Sequence, residues 1–187
     1  NMSSKGIIVS LYDKSHNSPA KLKSDYPELE SSLVFNDIHK FISSISKPRK
    51  VLVLVPSGPA LEEVISILIK HLDPNDILID GGNTNPNVSF KNYQTIKSKN
   101  LLYLGMGVSG GVKGVLEGPS IMIGGDISAF DQVKNIFSQI TSKTISDSKS
   151  FEFFGDSNQG HFVKMIHNGI EYVEMQLISS IYYLIIN

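Results

Sequence analysis

Residues 50–82, KVLVLVPSGPALEEVISILIKHLDPNDILIDGG, decide the fold of this chain. The apolar run 50–55 predicts a buried strand, and apolar residues at helical spacing between 61 and 72 predict a helix that packs on it. A Pro–Asn turn then leads to a second apolar run at 77–80. Two continuously apolar strands separated by a helix indicate a parallel βαβ unit that is buried on both faces.

The same alternation extends in both directions along the chain. Further strands are predicted at 7–12, 33–35, 101–104, 121–123, near 144, and at 151–154. Further helices are predicted from an Asp37 cap through 45, at 87–98 and at 127–140, with a polar helix or loop at 19–26. The sequence therefore predicts an α/β protein with a Rossmann-like, doubly wound, mostly parallel sheet, followed by the start of an all-α domain.

The pattern changes from strand-rich to wholly helical at 156–159, which predicts a domain boundary. We expect residues 1–157 to form a dinucleotide-binding domain and residues 158–187 to form the first helix of a helical domain. A dinucleotide-binding domain normally opens with a strand and a G-x-G-x-x-G loop, and neither precedes Gly6. We therefore expect the chain to be a piece of a longer protein. This piece lacks the first strand and its glycine loop.

The composition is that of an ordinary globular protein. The 187 residues are 41% hydrophobic and 19% charged, carry a net charge of −1 and include no cysteine. This excludes disulfides and thiolate metal sites, and it gives no basic surface for nucleic acid. The N-terminus lacks the apolar core of a signal peptide, and the apolar run 177–186 is too short to span a bilayer. We expect a cytoplasmic protein with no nucleic-acid or membrane partner.

Residues 160–172, GHFVKMIHNGIEY, place chemically active groups in an otherwise apolar helix pattern. At about 100° per residue the polar groups share one side of the helix. They are His161, Lys164, His167, Asn168, Glu171 and Tyr172. The opposite, apolar side, which we expect to face the core, holds Phe162, Val163, Ile166, Ile170, Val173 and Leu177. The mixture favours an active-site face, with a solvated amphipathic face as the alternative. The run after 177 is apolar nearly all round, which predicts a buried helix.

Ligands of open α/β sheets bind beyond the carboxyl ends of the strands, and three predicted strand ends carry unusual residues. Asp13-Lys14-Ser15 combines an acid suited to a ribose 2′-hydroxyl with a cation and a hydroxyl suited to a 2′-phosphate. Val55-Pro56-Ser57 forms a tight turn, and Asn83 follows two glycines that let the backbone approach a ligand. At the first two positions a simple polar turn is the alternative.

The segment GMGVSGG at 105–111 is rich in glycine. Successive glycine amides can form a concave nest for a carboxylate or phosphate oxygen, and Ser109 adds a hydroxyl donor. A plain loop is the alternative interpretation. The recurrence of glycine as far as Gly118 favours the nest.

Three blocks together resemble the 6-phosphogluconate dehydrogenases, a family within the wider β-hydroxyacid dehydrogenase group. They are IDGGN at 79–83, GVSGGVKGVLEGPSIMIGG at 107–125 and GHFVKMIHNGIEY at 160–172. The resemblance covers essentially the whole chain. His167-Asn168 stands where other members of the group usually carry an asparagine pair, and it indicates the phosphogluconate branch.

The resemblance implies oxidative decarboxylation of 6-phosphogluconate to ribulose 5-phosphate and CO₂ with reduction of NADP, a reaction of the pentose phosphate pathway that needs no metal. Lys164 would accept the C3-hydroxyl proton and Glu171 would protonate C1 of the enediol. Such a lysine must have its ammonium form disfavoured by burial or by neighbouring charge. The implied substrate-binding residues are Asn83, Ser109, Gly110, Gly111, His167, Asn168 and Tyr172, the last on the phosphate. The implied coenzyme-binding residues are Asp13, Lys14, Ser15, Val55, Pro56, Ser57 and Asn83.

Two departures from the family pattern bear on the coenzyme. Asp13-Lys14-Ser15 stands where the family typically has Asn-Arg-Thr around the 2′-phosphate, and Pro56 replaces a common lysine. Lysine lacks the planar guanidinium that stacks on adenine, and aspartate repels a phosphate. NADP is the expected coenzyme, and NAD is the alternative.

The family also implies a homodimer for the full-length protein, with 158–187 opening a helical substrate and dimerisation domain. We expect the 187 residues alone to be inactive. Two alternatives stay open: another β-hydroxyacid dehydrogenase acting on a small acid without phosphate, and a catalytically dead structural fragment.

Overall fold

The computed structural model describes residues 1–15, 21, 24–25 and 33–187. Within them, two short strands pair in parallel, and five strands form a larger sheet in sequential order with only β5 and β6 antiparallel. The strands are β1 (Leu11–Tyr12), β2 (Val34–Phe35), β3 (Lys50–Val53), β4 (Ile77–Asp80), β5 (Leu102–Ser109), β6 (Ser120–Gly125) and β7 (Phe151–Phe153). The mostly parallel α/β fold is therefore confirmed.

Helices follow most of the strands. They are α1 (Ile38–Ser43), α2 (Pro59–Leu68), α3 (Pro86–Lys97), α4 (Gly111–Glu117), α5 (Ile127–Ile140) and α6 (Gln159–Ile186), with a 3₁₀ helix at Ser3–Lys5. The Asp37 cap is confirmed, because its carboxylate accepts hydrogen bonds from the amides of His39 and Lys40 at 2.8 and 3.0 Å. None of the described helices combines the length and apolar character that a bilayer span requires.

The βαβ unit forms as the sequence predicts. β3 and β4 pair in parallel, with Val53 opposite Asp80, and α2 connects them. Leu61, Ile65 and Leu68 of α2 are buried at helical spacing. This unit aligns the carboxyl ends of β3 and β4 at one edge of the sheet.

Both faces of the five-stranded sheet are covered. Leu78 of β4 and Tyr103 of β5 belong to one buried cluster, which includes side chains of α1, α2 and α3. Their neighbours Ile77 and Leu104 belong to a second cluster, which includes α5. Because successive side chains of a strand point to opposite faces, the two clusters lie on opposite sides of the sheet, as a doubly wound fold requires.

Several local predictions are wrong. The strand expected at 7–12 is confined to Leu11–Tyr12, and Ile8 is 86% exposed rather than buried. Residues 105–109, which follow the strand predicted at 101–104 and are predicted to belong to a glycine nest, extend β5, because antiparallel β6 supplies hydrogen-bond partners for their backbone. The next residues form α4, and no strand forms near 144, where only an isolated Lys143–Lys149 bridge occurs. The segment predicted at 19–26 lies largely outside the described residues.

The last helix begins on the sheet and leaves it. The first turns of α6 pack against β5, β6 and α3. From 178 onward its apolar side chains are between 56% and 76% exposed, so the prediction of a buried distal helix is wrong for the described chain. The distal half contributes no residue to either buried cluster.

Candidate active site

Glycines let α6 approach the sheet far more closely than larger residues would. A Cβ atom added at Gly160 would lie 2.6 Å from the amide nitrogen of Gly124 and 2.7 Å from the carbonyl oxygen of Met122. A Cβ atom added at Gly107 would overlap the side chain of Lys164. Backbone therefore packs on backbone, and Lys164 lies directly across β5.

The side of α6 that faces the sheet is the polar one. His161 is 1% exposed and Lys164 is 7% exposed, whereas Phe162, Ile166 and Ile170 are 42%, 46% and 59% exposed. The prediction that the apolar side faces the core is therefore wrong. The glycine-lined strands leave space that the long side chains of His161 and Lys164 fill, and this selects the rotation of the helix.

Burial disfavours the charged form of Lys164. Desolvation lowers the pKa of its amine below the usual value of 10.5, and the negative charge of Glu171 opposes this effect. A lysine with a lowered pKa has a larger neutral fraction near neutral pH, which is what a proton acceptor requires. The residue type and its environment therefore suit acid–base chemistry.

His167 connects the helix to the end of β5. Its Nε2 atom lies 3.5 Å from the hydroxyl oxygen of Ser109, and its Nδ1 atom lies 3.4 Å from Oδ1 of Asn168. The same Nδ1 atom lies 3.7 Å from the carboxylate of Glu171. The structure thus brings together four residues singled out from the sequence, with Lys164 one turn earlier on the same side of the helix.

Gly110 and Gly111 form the turn that follows Ser109. Their φ angles are 137° and 58°, a left-handed region that other residues rarely adopt. This turn ends β5 and begins α4 at Gly111. Of the glycines in the predicted nest, Gly105 and Gly107 instead lie within β5, where they make room for His161 and Lys164.

A cleft of about 460 Å³ opens at the carboxyl ends of β3 and β4. It is lined by Leu54, Val55, Pro56, Ser57, Gly81, Gly82, Asn83 and Val108. The structure therefore gathers the 55–57 turn and Asn83 around one cleft, and Val108 connects the cleft to Ser109. The carboxylate of Asp80 shapes one wall, because it accepts hydrogen bonds from the Gly82 amide at 3.1 Å and the Thr84 hydroxyl at 2.8 Å.

Asp13, Lys14 and Ser15 lie beside α2 and do not line this cleft. The Asp13 carboxylate accepts a hydrogen bond from the Ser15 amide at 2.8 Å, and the Lys14 amine lies 3.5 Å from the carboxylate of Glu63 on α2. Because α2 begins directly after the 55–58 turn, this segment flanks the same edge of the sheet. Tyr172, at the other extreme, is 68% exposed on α6.

Sequence reasoning singled out His161 but missed the buried polar side chains beneath the cleft to which it is linked. Asp80, Ser89, Tyr103 and His161 are each at most 1% exposed and are linked by hydrogen bonds. Asp80 ends an apolar strand, which was the one available signal, whereas Ser89 and Tyr103 are inconspicuous in the sequence. The described residues contain no group of three or more histidines and carboxylates arranged to hold a metal ion.

Comparison with known proteins shows which family the sequence resembles. The family described as the NAD binding domain of 6-phosphogluconate dehydrogenase matches residues 1–148, and the C-terminal domain of 6-phosphogluconate dehydrogenase matches residues 160–187. A decarboxylating 6-phosphogluconate dehydrogenase of Staphylococcus epidermidis is 39% identical over 182 residues, which cover 97% of this chain and 39% of the relative. The enzyme of Rattus norvegicus is 36% identical over 98% of this chain and 38% of its own length.

Solved structures give the same result. Plasmodium falciparum 6-phosphogluconate dehydrogenase, studied in its apo form and with NADP⁺ or 6-phosphogluconate, superimposes with a TM-score of 0.88 at 38% identity, over 97% of this chain and 39% of its own. A Mycobacterium tuberculosis 3-hydroxyisobutyrate dehydrogenase has a TM-score of 0.79 at 18% identity, over 98% of this chain and 58% of its own, and shows a shared fold alone. The chain spans about two fifths of the length of the curated relatives that it matches.

Proposed function

Because the chain belongs to the 6-phosphogluconate dehydrogenase family, we propose that the protein carrying it converts 6-phosphogluconate to ribulose 5-phosphate and CO₂ with reduction of NADP. The observation that carries this proposal is the environment of Lys164. Its side chain is buried, the pKa of its amine is lowered, and it lies one helical turn from the Ser109–His167 contact. The names of the relatives and the Plasmodium complexes support the choice of substrate and coenzyme.

We assign the nicotinamide coenzyme to the cleft at the ends of β3 and β4, where Ser57 and Asn83 offer polar side chains beside apolar ones. Lys14 and Ser15 would hold the adenosine 2′-phosphate, with Asp13 turned toward the Ser15 amide. When bound, the coenzyme supplies the acceptor for the hydride from C3 of the substrate. The Lys14–Glu63 contact is the feature that bears on the choice between NADP and NAD, because Glu63 competes with a phosphate for the lysine.

The chain's own residues would handle the protons. Lys164 accepts the proton of the C3 hydroxyl as hydride leaves C3. The resulting 3-keto acid loses CO₂ because its ketone oxygen accepts the electron pair, and Lys164 returns its proton to that oxygen to give the enediol. Glu171 then donates a proton to C1 of the enediol. Ser109 and the Gly110–Gly111 turn hold the substrate carboxylate, while Asn83, His167 and Asn168 orient its hydroxyls. Tyr172, which is exposed on α6, contacts the substrate phosphate.

We further propose that residues 1–157 form the coenzyme domain and that 158–187 open a helical domain that packs against a second subunit in the cytoplasm. The exposed apolar half of α6 supports the contact with a second subunit, because a contiguous exposed apolar patch marks an interaction site. Sedimentation of the longest polypeptide that carries this sequence tests the dimer. A monomer at micromolar concentration would contradict it.

The activity is tested on the longest polypeptide that carries this sequence and, in parallel, on residues 1–187. We expect the former to reduce NADP only when 6-phosphogluconate is present, with one CO₂ released per coenzyme reduced. NAD in place of NADP measures coenzyme preference, and 3-hydroxyisobutyrate in place of 6-phosphogluconate is the substrate control. Reduction with 3-hydroxyisobutyrate alone would indicate another β-hydroxyacid dehydrogenase, and reduction with neither acid would indicate a non-catalytic protein.

A further inference from the structure

A chain of buried polar groups crosses the molecule from β4 to α6. Oδ2 of Asp80 lies 3.3 Å from the Tyr103 hydroxyl, which lies 3.0 Å from the Ser89 hydroxyl. The Ser89 hydroxyl lies 2.7 Å from Nδ1 of His161. The four side chains come from β4, β5, α3 and α6, and each is at most 1% exposed. Buried polar groups that are linked in this way fix the elements that carry them.

The carboxylate of Asp80 sets which group donates and which accepts in this row of hydrogen bonds. An ionised carboxylate only accepts hydrogen bonds, so the Tyr103 hydroxyl donates to Asp80. The oxygen of Tyr103 can then accept from Ser89, and the oxygen of Ser89 can accept from an N–H group at Nδ1 of His161. Burial lowers the pKa of His161, although the charge of Asp80 and the backbone carbonyls of Asp80 and Gly82 oppose this, so the neutral ring is favoured. If the hydrogen bonds run in the direction set by Asp80, the one proton of that ring lies on Nδ1. Nε2 of His161 is buried and has no partner at hydrogen-bond geometry. The competing tautomer carries its proton on Nε2, where it would face the backbone carbonyls of Asp80 and Gly82.

This row of hydrogen bonds also fixes the rotation of α6. A Cβ atom added at Gly105 would lie 2.9 Å from Nδ1 of His161 and 3.1 Å from the Ser89 hydroxyl, so the imidazole fills a slot that only glycine leaves open. Lys164 follows His161 by one turn on the same side of the helix. The two remaining contacts of the Asp80 carboxylate hold Gly82 and Thr84, next to Asn83 in the cleft.

We propose that Tyr103 and Ser89 are positioning residues, which hold His161 in one tautomer and thereby set Lys164 in register with the cleft loop 81–83. The proposal rests on the proposed function for the role of Lys164. The hydrogen-bond chain itself is independent of that role. Its two parts are therefore tested by separate measurements.

The first test is the tautomer of His161 in residues 1–187, read from the ¹⁵N and ¹H shifts of its ring near neutral pH. We expect the Nδ1–H tautomer. In Tyr103→Phe, Ser89 loses its acceptor and turns its proton toward Nδ1, so we expect the Nε2–H tautomer to become populated. Tyr93→Phe is the matched control, because Tyr93 also packs against the Tyr103 ring but its hydroxyl pairs with Lys97. An Nε2–H tautomer in the unmodified chain, or an unchanged tautomer in Tyr103→Phe, would overturn the proposal.

The second test is kinetic and uses the longest polypeptide that carries the sequence. In Tyr103→Phe and in Ser89→Ala we expect kcat per folded protein to fall about tenfold, because the proton acceptor is displaced. The KM for 6-phosphogluconate and for the coenzyme should stay within about twofold. Ser89→Ala removes a single oxygen and guards against a folding defect in the tyrosine variant, and Tyr93→Phe should match the unmodified protein.

The outcomes separate the two claims. A kcat within about twofold of the unmodified value in both variants would overturn the positioning role, as would a rise of both KM values equal to the fall in kcat. An unmodified protein with no activity toward 6-phosphogluconate would instead refute the proposed function, and the tautomer measurement would still decide whether the hydrogen-bond chain exists.

Discussion

The two halves of α6 have opposite relations to the rest of the protein. In the first three turns the polar side chains His161 and Lys164 are buried against β5 and β6. In the distal half, Ile178 and Leu184 are 68% and 76% exposed. The half with the most polar groups is therefore the buried one, and the most apolar half lies open.

The difference lies in the surface beneath each half. The first half lies over Gly105, Gly107 and Gly124, whose missing side chains bring the helix close to the sheet. Nδ1 of His161 then lies within hydrogen-bond distance of the Ser89 hydroxyl, and the aliphatic part of Lys164 covers β5. The distal half has no described sheet beneath it, so the hydrophobicity of its side chains does not bury them. Burial in this helix follows the partner surface rather than the helix composition.

The largest expected effect is on catalysis in the first half. Lys164→Ala in the longest polypeptide that carries the sequence should lower kcat about a thousandfold, because it removes the proposed proton acceptor. Steady-state kinetics with 6-phosphogluconate measures this, and titration with NADP should give a dissociation constant within about twofold of the unmodified value. Lys134→Ala, at an exposed position of α5, is the control. A variant with near-normal turnover would remove Lys164 from the mechanism.

Alanine substitutions at two glycines of α6 compare the part of the helix that packs on the sheet with a part that does not. Gly160→Ala should lower the free energy of unfolding of residues 1–187 by about 3 kcal/mol, because its Cβ meets backbone atoms of β5 and β6 that cannot move aside. Gly169→Ala has nothing within 4 Å of its Cβ and should raise that free energy by up to about 1 kcal/mol through helix propensity. Urea unfolding measures both, and equal signs for the two variants would contradict the difference in packing.

The lowered pKa of Lys164 predicts a dependence of stability on pH. Between the folded pKa and the usual value of 10.5 the unfolded chain binds more protons, so stability should rise with pH through that window. Lys164→Met keeps the aliphatic packing and removes the desolvated charge. It should therefore stabilise residues 1–187 by about 1 kcal/mol at neutral pH, with a gain that shrinks toward pH 10.5.

The measurement for this prediction is urea unfolding at several pH values, with Lys91→Met at an exposed position of α3 as the control for loss of a charge. A Lys164→Met variant that is less stable at neutral pH would show that the amine gains more from its contacts than it loses on burial.

The smallest effect on stability is expected in the distal half. The double variant Ile181→Glu and Ile185→Glu should change the free energy of unfolding of residues 1–187 by less than about 0.5 kcal/mol, because both side chains are mostly exposed. It should reduce concentration-dependent self-association, which sedimentation velocity measures. A loss of more than about 1 kcal/mol would mean that the distal half packs on the domain and would remove the contrast.

Much of the fold follows from local patterns. The bounds of β4 and α5 agree with the sequence prediction, because a short apolar run and a clear helical period leave few alternatives. The Asp37 cap agrees for the same reason. The extension of β5 through 105–109 is not predicted from the sequence, because its glycines weaken the strand signal and its pairing with β6 and packing against α6 are long-range contacts.

The candidate site was only partly predictable. The residue types of 160–172 and the Ser109–Gly111 turn pointed to chemistry, and the structure places Ser109 against His167. The roles assigned to these residues stay predictions. Ser89 and Tyr103 could not have been found, because nothing in their immediate sequence distinguishes a buried hydrogen-bonded hydroxyl from an ordinary one.

The sequence by itself determined most of the order of strands and helices, the family, and the set of side chains that share one side of α6. The tertiary structure alone decided which side of α6 turns inward and which half of it is covered. Helical periodicity fixes the angles between side chains within a helix. The rotation of that helix against a sheet depends on the shape of both surfaces, and here the glycines of β5 and β6 determine it.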